Sequence, residues 1–106
     1  MTKHEDAARS EMPALPSDCE VYRRTRSFTE RSVPRGLLRE HSTAAGVWGR
    51  IVVERGELRY RVGGLQFTLA PGTPGIIEPE VLHEVEPVGE LSFHVEFLRR
   101  GPLAER

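Results

Sequence analysis

Two histidines, His41 and His83, carry the most suggestive chemistry in this chain of 106 residues. His41 lies upstream of a strand-like run, Val47 to Glu54, that ends at Arg55-Gly56. His83 follows Ile76-Ile-Glu-Pro-Glu80, a strand and a proline turn, and opens a further strand. Neutral imidazole is the commonest protein ligand for transition metals, so two distant histidines brought together inside a barrel can hold one. The plainer alternative is a pair of core histidines whose ring nitrogens bond to backbone.

The elements that must position them are short and apolar or alternating. Candidate strands are Val21 to Arg26, Gly36 to His41, Val47 to Glu54, Leu58 to Val62, Leu65 to Leu69, Gly75 to Glu78, Leu82 to Glu86 and Leu91 to Leu98. Gly and Pro separate them, at Val33-Pro-Arg-Gly36, Arg55-Gly56, Gly63-Gly64, Ala70 to Gly75, Pro79-Glu80 and Pro87-Val-Gly89. Alternation places Tyr60 and Val62, then Leu65, Phe67 and Leu69, then Phe93, Val95 and Phe97 on inward faces. Short strands at this spacing predict a β-sandwich or barrel, with no helix longer than about two turns after residue 20. Residues 1–18, interrupted by Pro13 and Pro16, read as a flexible leader containing His4. Residues 19–100 form the single domain, and residues 101–106 are a tail.

Composition narrows the function classes. Fifteen Lys and Arg against 16 Asp and Glu give a net charge of −1, which leaves no broad basic footprint for nucleic acid or anionic lipid. Arg23, Arg24 and Arg26 read as a solvated strand face. One cysteine, Cys19, excludes an internal disulfide and any Cys-based zinc cluster. No run approaches the roughly 18 apolar residues of a membrane span, and the polar amino terminus is no signal peptide, so a cytoplasmic location is expected.

Several phrases, in order, carry a resemblance: Tyr22-Arg-Arg-Thr25, Val33-Pro-Arg-Gly-Leu-Leu38, His41-Ser-Thr43, Gly46-Val-Trp-Gly-Arg-Ile-Val-Val53, Gly56-Glu-Leu58, Ile77-Glu-Pro-Glu-Val81, His83-Glu-Val-Glu-Pro87 and Phe93-His-Val-Glu-Phe97. From Leu15 to Arg100 the chain resembles the cupin superfamily. Within it, the chain is similar to the small family of the YeaR protein and the domain joined to some TehB tellurite-resistance methyltransferases. That resemblance implies an all-β, cupin-type double-stranded β-helix, a jelly-roll barrel. It also implies a stress-related setting, tellurite or nitrogen-oxide response, without fixing an activity.

Cupins place a His-x-His, a glutamate and a later histidine around one metal. Here Thr43 stands at the second histidine, and no acid occupies the glutamate's place near Gly49 or Arg50. Only His41 and His83 carry over. A third ligand is sought among Glu96, Glu80 and Glu78. Glu96 matches an acidic position in the family's last strand, although alternation gives the inward face to Phe93, Val95 and Phe97. Trp48 is either core packing or an aromatic wall of the pocket, and Thr43 is a pocket residue. His94 is expected to be exposed.

The expectation is therefore a small cupin binding a divalent transition metal (zinc, iron, nickel or manganese). His41, His83 and a carboxylate from Glu96 or Glu80 would hold it, with Trp48 and Thr43 in the pocket. The alternatives are a metal-dependent oxygenase or isomerase, and a metal-free module binding a small molecule or a protein. A homodimer is expected, because open jelly-rolls leave edge strands to cover.

Overall fold

The computed structural model describes residues 11–101. The expected leader up to residue 10, with His4, and the tail beyond Gly101 lie outside the described residues. Six strands form one antiparallel hydrogen-bonded sheet: β1 (Cys19–Arg24), β2 (Phe28–Thr29), β3 (Trp48–Val62), β4 (Leu65–Leu69), β5 (Gly75–Ile77) and β6 (His83–Arg100). The main order is β1-β6-β3-β4, with β2 paired to β6 and β5 to β3.

The long β3/β6 ladder is the frame of the molecule, pairing Trp48 with Leu98 at one end and Val62 with His83 at the other. Held straight, the 18 residues of β6 would span roughly 55 Å at about 3.3 Å per residue. The molecule's longest dimension is 42 Å, so the ladder bends. The register shifts between Val53 and Arg55 and again between Gly56 and Glu57 mark the place. Gly56 has φ +86°, and a Cβ there would lie 2.1 Å from the Glu90 carbonyl oxygen. Only glycine fits a bulge of this kind.

This corrects the sequence reading. Val47 to Glu54 and Leu58 to Val62 are one strand, as are Leu82 to Glu86 and Leu91 to Leu98. Arg55-Gly56 and Pro87-Val-Gly89 are bends within strands, where chain reversals were expected. The Gly63-Gly64 reversal is as expected, with both φ values positive in a two-residue hairpin between Val62 and Leu65. Most of the expected strand Gly36 to His41 is instead a 3-10 helix, Arg35–Leu38, started after Pro34, and only His41 pairs with a strand residue.

Folding the ladder over turns one face of each half inward. Ile51, Val53, Leu58, Tyr60, Val85, Leu91, Phe93 and Val95 pack there with Phe28, Leu69 and Ile77. The Tyr60 hydroxyl donates to the Ile76 carbonyl at 2.7 Å, so its buried polar end is satisfied. Met12, inside the expected leader, also packs against this core, and its sulfur accepts from the Ile76 amide at 3.4 Å.

Candidate functional site

His41 and His83 meet through the backbone first. Each amide donates to the other's carbonyl, at 3.0 Å from His41 and 2.9 Å from His83, which extends β6 by one bridge. The ring centroids consequently sit 4.1 Å apart, tilted by 54°. The edge of Tyr60 lies behind His83, centroids 6.0 Å apart.

The two rings are oriented in the same way. His83 Nδ1 contacts the Val81 carbonyl at 3.0 Å, and His41 Nδ1 contacts the Arg39 carbonyl at 3.2 Å. A carbonyl only accepts, so each Nδ1 is the donor and each neutral ring keeps its lone pair on Nε2. His83 is 2% exposed, and its Nε2 is buried without a hydrogen-bond partner among the described residues. Burial pushes the His83 pKa down, the Val81 carbonyl works against that, and His41 lowers it further. The net direction is down, which keeps the ring neutral.

Both histidines line a half-open cavity of about 570 Å³ in the fold of the bent ladder. Its walls are mainly apolar: Phe28, Leu37, Ile51, Ile77, Phe93 and Val95. Thr43 lines it too, with its hydroxyl donating to the Val47 carbonyl at 2.7 Å. Arg23 and Arg99 also line it, and the sequence reading missed both. Arg23 had been read as a solvated face; its guanidinium lies 5.6 Å from the Phe97 ring centre.

The carboxylates stand elsewhere. Glu96 pairs with Arg50 across the ladder, on the face opposite to Val95 and Phe97. There it accepts from Arg50 at 2.7 Å and Arg24 at 2.8 Å. Burial raises its pKa, but the bonds and charges of Arg50 and Arg24 outweigh this and hold it below the usual range. Alternation predicted this outward direction, and the family's acidic position does not bring Glu96 to the histidines. Glu80 is exposed at a turn with φ +63°, and Glu78 is exposed as well; neither lines the cavity. Among the described residues no group of three or more His, Cys, Asp or Glu is arranged to hold a metal. Trp48 pairs with Leu98 on the outer face, so its packing role fits and its place as a pocket wall does not.

His94 is more engaged than its expected exposure. Its Nδ1 lies 2.5 Å from Glu54, and its Nε2 lies 3.8 Å from Glu96. Glu54 also accepts from Ser92 at 2.6 Å and from Ser27. Those bonds, Ser92 first and His94 next, lower the Glu54 pKa to about 2. The pKa of Cys19, a free thiol, is pushed up by burial and then by Asp18 against the pull of Arg100, and this favours the protonated form.

Comparison with known proteins places this architecture. No curated protein matches the chain. Among solved structures, TehB from Haemophilus influenzae superposes with a TM-score of 0.74 at 21% identity, covering 81% of this chain and 33% of TehB. The chain thus spans about a third of that protein. A protein from E. coli (strain K12) superposes at 0.77 with 20% identity, over 85% of this chain and 99% of that one. A cupin-2 domain protein from Shewanella frigidimarina gives 0.52 at 14% identity, over 95% and 93%. These likenesses establish an all-β, cupin-type fold. The TehB-like domain family matches residues 23–95, more than half of the sequence and most of the bent ladder. The chain therefore belongs to the TehB-like domain family.

Proposed function

We propose that this chain is a small-molecule-binding cupin whose His41–His83 pair accepts one divalent transition metal. The observation that carries the reading is the buried, unpartnered Nε2 of His83 beside the His41 ring. Ligating histidines ordinarily donate their other ring N–H to a carbonyl or carboxylate, and both rings here do so. Donor type and tautomer fit a metal such as zinc or nickel. Donor number is two, short of the three or four protein ligands zinc usually takes. An ion held this way would keep positions open to a ligand in the cavity and supply Lewis acidity there. The chain's own part is to keep His83 neutral by burial, orient the lone pairs of both rings and surround them with apolar walls.

The test is elemental analysis of desalted full-length protein after incubation with zinc. Retention is expected in the wild type and in His94→Ala, and loss is expected in His41→Ala and in His83→Ala. Zinc retained by both single variants, or absent from the wild type, overturns the metal half. A metal-free ligand-binding pocket is the second reading, favoured by the predominance of apolar walls over polar groups in the cavity. A homodimer through an exposed sheet edge and a stress-response role extend the proposal. Light scattering tests the first, and growth of a deletion strain on tellurite tests the second.

A further inference from the structure

The cavity has two chemically different polar stations. One is the histidine pair. The other is formed by Arg23 on β1 and Arg99 on β6, both exposed and both lining the cavity. No carboxylate lines it among the described residues, and neither arginine has an ion-pair partner there. Among the sheet's other described arginines, Arg24 and Arg50 hold Glu96, Arg59 and Arg61 hold Glu86, Arg61 also holds Glu84, and Arg100 holds Asp18, while Arg55 has no ion pair there. Glu20 pairs with Arg99 across the strands, yet its carboxylate lies beside Gly101.

Both guanidinium groups rest on aromatic rings, Arg99 at 4.4 Å from the centre of Tyr22 and Arg23 at 5.6 Å from that of Phe97. Such stacking fixes a long side chain and leaves its N–H edge available, the arrangement that suits bidentate carboxylate recognition. Between the stations, Phe93, Val95 and Phe97 offer an apolar wall along one face of β6. A volume of about 570 Å³ is in the range of small organic ligands.

We propose that the cavity binds an organic acid with an apolar body, its carboxylate held by Arg23 and Arg99 and its body against Phe93, Val95 and Phe97. Charge sets the class, because a cationic ligand would meet two unpaired guanidinium groups and no acid. The proposal deepens the ligand-binding half of the preceding reading and does not depend on the ion.

The experiment titrates chelator-treated full-length protein with octanoate, octan-1-ol and octylammonium at low ionic strength, by calorimetry. Each titration is repeated with zinc present. Octanoate is expected to bind about tenfold or more tighter than octan-1-ol, as charge-assisted hydrogen bonds are lost in the alcohol, with octylammonium weakest. In Arg23→Gln/Arg99→Gln, octanoate should fall to the level of the alcohol while alcohol binding is unchanged. That unchanged arm also reports an intact cavity. Equal binding of acid and alcohol by the wild type, a preference that survives the double substitution, or no binding of any probe overturns the proposal. Preference for octanoate in protein that retains no zinc removes the metal reading alone. Retained zinc without that preference removes this one alone.

Discussion

The inner and outer faces of the β3/β6 ladder each carry imidazole, and they treat it in opposite ways. Inside, His41 and His83 meet no carboxylate, and His83 keeps a buried Nε2 with nothing to bond. Outside, His94 sits between Glu54 and Glu96, whose remaining oxygens are taken by Ser27, Ser92, Arg24 and Arg50. The outer network is satisfied and ties β1, β3 and β6 together. The buried Nε2 of His83 is left without a partner among the described residues, and the proposed ligand reading rests on that atom. A one-residue step along β6 separates these roles, since Val95 points in while His94 and Glu96 point out.

The largest expected effect comes from the bend that gives the ladder an inside. Gly56→Ala puts a Cβ against the Glu90 carbonyl and strains a positive φ, so it should cost about 3 kcal/mol or more in urea unfolding. A loss under about 1 kcal/mol would mean the bend does not rest on that close approach.

Next comes the outer face. Arg50→Ala leaves the buried Glu96 with the more exposed Arg24 and, at 3.8 Å, His94 Nε2, and should cost about 1–3 kcal/mol. Glu96→Gln should cost less, because no buried carboxylate is left and the guanidinium groups of Arg24 and Arg50 that lose their partner are partly exposed to water. Neither variant should change zinc retention. If Glu96→Gln lost zinc, the division between the two faces would be wrong.

The smallest effect is a pair of pH windows. The folded-state pKa of His83 lies below its ordinary 6.5, so the unfolded chain binds the extra proton more readily. Its contribution is complete above 6.5 and is lost as pH falls through the lower folded value. Glu54 is also depressed, so its contribution is lost between 4.5 and about 2. His83→Leu should flatten the upper slope in denaturant titrations. Ser92→Ala should leave that slope and make the lower one shallower, because Ser92 is the main cause of the Glu54 shift.

Strand identity and facing were legible from alternation: Phe93, Val95 and Phe97 do line the inside, and Glu96 does not. Strand length was not. A glycine at positive φ serves a reversal at Gly63-Gly64 and a bulge at Gly56 equally well, and only the long-range partner, here Glu90, decides between them. His41 and His83 were legible as a pair through the family phrases, although the bridge that joins their backbones has no local signal. Arg23 and Arg99 were not legible. They are exposed strand residues 76 positions apart, and their common cavity exists only once the ladder has folded over.

The most direct test observes the imidazole nitrogens by long-range proton–nitrogen correlation in the full-length protein at pH 7.5. His41 and His83 should each show a protonated Nδ1 and an unprotonated Nε2. One equivalent of zinc should shift only those two Nε2 signals, leaving His94 unchanged. Zinc-induced shifts at His94 instead, or an Nε2-protonated tautomer at His83, would contradict the account.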